Sequence, residues 1–462
     1  MDRSSNTGIR VGVAVLLLAL SACGTRYTSA QEKALNQSLS ASRSNSDSQG
    51  NLTTGDDTSS EPGAVDGAQP DSASGSTAGS DGTNNSTTAA GTLACAASVT
   101  NVPGVTDKQI TLGLIDSLSG PSPGLGQSHL SASQAYVAYR NANGGICGRQ
   151  IKLITADDGL DSSRNRSALS EMEPQVFAML GGVAGGGDGG VEVLNQKKLP
   201  MLGTAITPIL NETPTFFNVR PLLPNYNVLT PKYKYLTGLG VKKAAVLYIS
   251  AAAAPAEAAR EKKLMQAAGI QVVLEQAIPV TQLSYDSAAR AVANSGADFM
   301  YFAHEASASS NMARALTDTG YKLKAAEYII AYGSDFPELA GASAENAMSF
   351  ITYLPNEEKG ANKEQSTFMQ WMDRVAPGQG IDTFATQGWV GAKALFDAIN
   401  SVSGPLSRDA LLAKVKAIDT FDAGGYYAPQ KLGSKQGLGC FIGLIYKSGR
   451  WERLFPSKGF AC

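Results

Sequence analysis

From Pro103 onward the chain alternates short apolar runs with amphipathic stretches of helical period, and no other feature restricts the fold as much. Residues 110–115, 151–156, 176–183 and 200–205 read as strands, and residues 132–141 and 164–173 between them as helices. Strands that alternate with helices imply parallel sheets covered on both faces, because a parallel neighbour is reached only by a long crossover. A second series follows, with strands at 244–249, 272–277, 299–303, 328–332 and 348–353 and helices near 256–267, 285–294 and 309–319. Helices at 363–375 and 384–402 come next, then a hairpin of 440–446 and 451–454 turning at Lys447-Ser448-Gly449. Two such series predict an α/β protein of two lobes.

The first residues belong to another class. Arg3 and Arg10 precede a short apolar stretch, residues 11–20, and small residues lead to a cysteine in Leu20-Ser21-Ala22-Cys23. That stretch is about half the ~20 residues a spanning helix needs, so it reads as a signal peptide. Leu-x-small-Cys resembles the bacterial lipobox, which makes Cys23 the expected lipidation site and 1–22 the leader. A membrane anchor by lipid on the outer face follows from that resemblance, since two or three acyl chains hold a protein durably where one does not. From 23 to 92 the chain is Ser, Gly, Thr, Asp and Asn with few large apolar residues, too few to offset its chain entropy. It is expected to be a disordered tether, with an end-to-end distance of about 40–50 Å for ~65 residues of random coil.

The net charge of −2 gives no reason to invoke nucleic acid or an anionic membrane surface. With Cys23 acylated, Cys95, Cys147, Cys440 and Cys462 form an even set in an oxidising compartment, so disulfides are expected over a metal site, and no C-x-x-C spacing is present. Three pairings are possible. Cys95–Cys147 and Cys440–Cys462 are favoured because each pair is close in the chain and falls on one lobe.

Open parallel sheets bind ligands at the carboxyl ends of their strands, where helix N-termini expose backbone N–H groups. Post-strand loops suited to this are Ser117-Leu118-Ser119-Gly120-Pro121, residues 181–190, and Gly203-Thr204-Ala205-Ile206-Thr207. Gly185-Gly186-Gly187 would permit close approach of a ligand or of the opposite lobe, although a tight turn explains such glycines equally well. It is not a dinucleotide fingerprint, because it follows the third strand and no acidic residue ends the next one.

Leu118-Ser119-Gly120-Pro121, then Asn143-Gly144-Gly145-Ile146-Cys147-Gly148-Arg149 before a strand ending in Asp157-Asp158, resemble the branched-chain amino-acid-binding proteins, which are type I periplasmic binding proteins. Further marks are Phe217-Asn218-Val219-Arg220, Ala340-Gly341-Ala342-Ser343-Ala344-Glu345 and Gly388-Trp389-Val390-Gly391-Ala392, in order, over residues 105–451. The resemblance implies two Rossmann-like lobes with parallel sheets joined by three hinge crossovers, closing on a small solute and delivering it to an ABC permease. It divides the chain into lobe 1 at 93–220 and 353–425 and lobe 2 at 221–352, with a C-terminal hairpin and tail at 426–462.

Carried over residue by residue, the resemblance puts Leu125 where the family has an aromatic. Ala184, Gly185 and Gly186 fall where a serine meets the amino-acid carboxylate. Thr207 is a retained threonine beside Ala205, and Ala253 falls where a tyrosine contacts the ligand. His304 and Glu305 occupy another contact, Phe384 an apolar one, and Tyr332 and Ser334 the stretch where an acidic residue holds the α-ammonium. No carboxylate occurs there before Asp335. A zwitterion's buried charges would go unpaired, at a cost of several kcal/mol, so a bulkier solute than an ordinary branched-chain amino acid is expected. An amino-acid-binding protein and a ligand sensor without transport are the alternatives.

An enzyme is the rival class. His129 and His304 are the two histidines, Ser119 or Ser250 would be the nucleophile beside one of them, and neither a G-x-S-x-G elbow, an H-E-x-x-H nor a P-loop occurs. No catalytic residue, cofactor or metal is expected. The chain is expected to be a monomer.

Overall fold

The computed structural model describes Cys95, residues 97–120, Ser122, and residues 124–220, 230–251 and 254–462. The leader, Cys23, the 23–92 tether and Ala253 lie outside the described residues. One sheet contains β1 (Gln109–Asp116), β2 (Gln150–Asp157), β3 (Ala178–Gly181), β4 (Met201–Gly203) and β5 (Phe216–Asn218), all parallel, in the order β2-β1-β3-β4-β5. Apart from half-buried Gln109, β1 is buried along its length, as expected of an inner strand covered on both faces.

The second sheet holds β6 (Lys243–Ile249), β7 (Gln271–Ile278), β8 (Phe299–Ala303), β9 (Ala325–Tyr328), β10 (Ala347–Ile351), β11 (Ile442–Lys447) and β12 (Arg450–Phe455). Its order is β12-β11-β10-β9-β8-β6-β7, parallel except where β11 meets β10 and β12. The architecture is therefore α/β with two lobes.

Three helices of the late chain return to the first sheet. The helix Thr383–Asn400 is N-capped by Asp382, which accepts from Ala385 N at 2.8 Å and also from the Ser128 hydroxyl of the neighbouring helix Gln127–Ala142. Gly388 lets those two helices approach, since a Cβ there would lie 2.4 Å from the carbonyl oxygen of His129. Trp389 is buried between the helix Lys363–Val375 and Tyr136, and its Nε1 donates to Glu364 at 2.7 Å. Arg408, the first residue of the helix Arg408–Lys416, pairs with Glu173 at 2.6 Å and donates to the carbonyl of Val176 at 2.7 Å, which fixes that helix to the first lobe.

The chain thus passes between the lobes three times. The first passage starts at Val219 and Arg220, after β5. The second and third run side by side: Ala428 N donates to Thr352 O at 2.7 Å and Leu354 N to Tyr426 O at 3.0 Å, with Tyr353 opposite Tyr427. The third is also held to the first lobe, where Lys435 Nζ donates to Thr213 O at 2.6 Å and lies over the Phe217 ring.

Both disulfides form as Cys95–Cys147 and Cys440–Cys462. The first closes a segment organised by Arg149, a buried guanidinium that donates to the carbonyls of Thr106, Cys95, Cys147 and Ala97.

One expected strand is absent. Residues 328–332 are not a strand; β9 ends at Tyr328, and Ala331 and Tyr332 are buried in the turn that follows, with the Tyr332 hydroxyl on Glu357 at 2.6 Å. An apolar run of that length fits a buried turn as well as a strand. The edge strand β5, which contains Phe217 and Asn218, has no counterpart among the strands expected from the sequence. Among the described residues no helix is long and apolar enough to cross a membrane.

Candidate functional site

Residues at the carboxyl ends of both sheets, together with all three passages between lobes, line one cavity of about 430 Å³. That volume lies in the range of organic-ligand sites, ~300–1,000 Å³. From the first lobe come Leu125, Gly185, Thr204, Ala205 and the helix start at Thr383 and Phe384; from the second come Ala251, Ala254, Ala303, His304, Glu305 and Ile330. Arg220, Thr352, Gln430 and Phe441 belong to the passages.

Of the ligand set expected from the sequence, the structure brings Leu125, Gly185, Ala205, His304, Glu305 and Phe384 to the cavity wall. Ala184, Gly186, Thr207, Tyr332 and Ser334 stand off it. The Thr207 hydroxyl donates to Ala184 O at 2.9 Å, Tyr332 is bonded to Glu357, and the Ser334 hydroxyl lies 2.9 Å from the carbonyls of Ile330 and Ala331.

The glycine run has a packing role. A Cβ on Gly186 would lie 2.4 Å from the Asp161 carbonyl, at the loop that caps the helix Ser162–Met172. The N–H groups that a ligand would seek are already engaged. Val183 N donates to Asp116 Oδ1 at 2.7 Å, Gly185 N to Ser117 Oγ at 2.9 Å and Gly186 N to Asp158 Oδ2 at 3.1 Å. Asp116 also holds His129 at 3.1 Å, deep in the first lobe.

The polar groups of the cleft are similarly committed. Glu305 is the N-cap of the helix Ala306–Asp318, accepting from Ser307 N at 2.6 Å and Ala308 N at 2.7 Å, where an anion also complements the helix dipole. His304 Nδ1 accepts from Glu305 N at 2.9 Å, which leaves the proton on Nε2, 3.4 Å from the Tyr285 hydroxyl. Burial lowers the His304 pKa, against the pull of Glu305, so the ring is neutral and presents one N–H. Gln387 accepts from Thr204 Oγ1 at 2.6 Å. Leu125, Ala205, Ile206, Ala303, Ile330 and Phe384 add aliphatic and aromatic surface, beside the polar Asn211, Asn218, Thr352, Thr383 and Gln430.

A second part of the cavity escaped the sequence reading. It is lined by residues of the second sheet and of the helix Ala254–Ala267 and includes Lys232, Glu261, Glu327 and Tyr301. Lys232 Nζ lies 2.8 Å from Glu261 Oε2 and donates to Glu327 Oε1 at 2.9 Å, while Tyr233 OH donates to Glu261. In the same wall, Glu257 accepts from Arg220 at 2.9 Å and pairs with Arg260.

Burial alone would lower the Lys232 pKa, but the two carboxylates outweigh it and raise it. Burial would raise Glu261, and Lys232 holds it below the usual range. Glu327 is pushed up to about 7 by burial and by the like charge of Glu261, against the opposing pull of Lys232.

A carboxylate raised from 4.5 in this way favours folding fully below its unfolded pKa and loses that contribution as pH rises through about 7. At ~1.4 kcal/mol per unit this is about 3 kcal/mol. Glu327→Gln is therefore expected to gain about 3 kcal/mol relative to the parent chain between pH 4.5 and pH 8. Urea unfolding at the two pH values measures it, and a difference that does not change with pH contradicts it.

The fold and this cleft define a two-lobed binding protein. The family profile described as periplasmic binding protein matches residues 109–438. The chain belongs to the periplasmic binding protein family, a family of binding proteins and not of enzymes.

Similar solved structures include a fatty acid ABC transporter substrate-binding protein from Thermomonospora curvata, 20% identical, covering 77% of this chain and 94% of that one, with a TM-score of 0.65. A solute-binding protein of an ABC transporter from R. palustris, in complex with 4-hydroxybenzoate, is 16% identical over 76% of this chain and 97% of its own, with a TM-score of 0.63. A leucine-binding protein from Thermotoga maritima is 13% identical over 76% and 98%, with a TM-score of 0.61. At these identities the likeness is one of fold. No match was found among the curated proteins.

Proposed function

We propose that this chain is the solute receptor of an ABC-type importer, held by a lipid on Cys23 at the outer face of a membrane, and that it captures a bulky, largely apolar organic solute by closing its lobes. The observation that carries this reading is a cavity of about 430 Å³ lined from both lobes and from the passages between them. A solute seated there touches both lobes at once, so it favours the closed arrangement through contacts absent from the open one. Leu125, Gly185, Ala205 and Phe384 are the first-lobe contacts, and His304 supplies a neutral donor from the second. In this reading the first lobe spans 93–220 and 353–425, and the second spans 221–352 and 426–462.

An ordinary amino acid fits poorly. Of the carboxylates lining the cavity, Glu305 is already the cap of a helix, and Glu257, Glu261 and Glu327 are already paired with Arg220, Arg260 and Lys232, so an α-ammonium would be buried without a dedicated partner, at a cost of several kcal/mol. Fatty-acid and hydroxybenzoate receptors share the fold, which supports a solute class beyond amino acids; the leucine-binding relative keeps the amino-acid reading as the competitor.

A thermal-shift screen across amino acids, aromatic acids, amines, sugars and apolar acids tests this. The strongest shift is expected from a bulky apolar solute, and Ala205→Trp, which fills the cleft, is expected to weaken its binding at least about tenfold. A dominant shift with leucine or valine overturns the solute class.

A further inference from the structure

We propose that the turn Asn356–Glu358 is a latch between the lobes. Glu357 and Glu358, with their partners Tyr332 and Arg453, are positioning residues that hold the two walls of the cavity together without touching the solute. This rests on the receptor reading above and names what sets the resting angle of the same lobes. The turn lies just past the second passage and is fixed to the first lobe. Gln365, on the helix Lys363–Val375, donates to Pro355 O at 2.7 Å. Asn356 Nδ2 donates to Ile381 O at 2.9 Å, next to Asp382, the cap of the helix that brings Thr383 and Phe384 to the cavity.

The same turn grips the second lobe with both of its carboxylates. Glu357 accepts from Tyr332 OH at 2.6 Å, and Asn356 N donates to that hydroxyl. Glu358 takes Arg453 of β12 in a two-point pair, Nη2 to Oε2 at 2.9 Å and Nε to Oε1. Arg453 is itself held, since its Nη1 donates to Gly459 O at 2.9 Å in the tail that the Cys440–Cys462 bridge closes. Beside these bonds the lobes meet backbone to backbone: a Cβ on Gly333 would lie 2.2 Å from Ile381 O. Ile330 and Thr383, from the two sides of that contact, line the cavity, whereas Tyr332, Glu357, Glu358 and Arg453 stand off it.

Two-point, charge-assisted bonds are directional and are lost once donor and acceptor part beyond about 3.5 Å. Rotation of the second lobe away from the first draws Tyr332 and Arg453 off a turn that stays with the first, so opening costs these bonds and the latch favours closure. The bias is partial, because the side chains of Arg453 and Glu358 are 13% and 34% exposed and water competes for them.

The test is hydrogen exchange and small-angle scattering of the full chain with no solute added. In Glu358→Ala the Asn356 amide is expected to exchange about tenfold faster, the gain in open population that loss of a two-point pair allows, and the radius of gyration to rise. The amides of Leu354 and Ala428, which bond the passages to each other, are expected to keep their parent rates. Tyr332→Phe is expected to raise the radius by an independent route. An unchanged radius in both variants overturns the proposal, whether or not Asn356 exchanges faster, because the turn then does not hold the lobes. Faster exchange at Leu354 and Ala428 as well also overturns it, since the hinge itself then unfolds. A radius that responds to Glu358→Ala in a chain that no solute of the screen closes leaves this inference standing and sinks the receptor reading. Solute-driven closure in a chain whose radius ignores both variants does the reverse.

Discussion

Lys232→Met is expected to destabilise the protein by about 3–5 kcal/mol at neutral pH, the typical cost of removing one partner from a buried ion pair. The substitution leaves Glu261 and Glu327 facing each other without the cation that now lies within 2.8 Å of one and 2.9 Å of the other. Glu261, held low by Lys232, then rises through burial and the charge of its neighbour. The loss is therefore expected to shrink toward pH 5, where both carboxylates take up protons, and to be largely reversed when Glu261→Gln and Glu327→Gln are added. Guanidinium unfolding of the three chains at pH 5 and pH 8 measures this. A loss below about 1 kcal/mol at pH 8 shows that the triad is solvated and contradicts its description as buried.

Removal of the Cys95–Cys147 bridge is expected to cost about 4 kcal/mol by the loop-entropy relation for cysteines 52 residues apart. The bridge also fixes the segment whose carbonyls satisfy Arg149. Hydrogen bonds from one guanidinium converge there on the carbonyls of Thr106, Cys95, Cys147 and Ala97. Release of the Cys95 end frees two of those acceptors and exposes a buried charge to incomplete pairing. Cys95→Ala with Cys147→Ala is expected to lower Tm by roughly 5–10 °C. An unchanged melting profile contradicts a stabilising role for the clip.

The strand framework was legible because burial imposes a local pattern. β8 occupies Phe299–Ala303 and a helix Lys363–Val375, the bounds their apolar spacing predicts. The misreading of residues 328–332 has a local cause: an apolar run reports burial, and burial is common to a strand and to a packed turn. The glycine run was ambiguous for a different reason. Glycine tolerates both a ligand and another backbone, and the partner that decides, Asp161, lies elsewhere in the chain.

The charged part of the cavity left no local trace, since Lys232 meets Glu261 across 29 residues and Glu327 across 95. The one available signal was a carboxylate inside an otherwise apolar strand, Glu327 in Ala325–Tyr328, where burial demands a partner. Cleft residues were found where the resemblance supplied positions, as for Leu125 and Phe384, and missed where the wall comes from the interior of the second lobe.

The central claim is that a solute in the cavity draws the two lobes together. Hydrogen exchange and small-angle scattering of the full chain, with and without the strongest solute from the screen, test it most directly. The account predicts protection on both walls, around Leu125 and Ala205 in the first lobe and around Ala303 and Glu305 in the second, together with a smaller radius of gyration. Protection confined to one lobe with an unchanged radius, or chemical turnover of the solute, contradicts it.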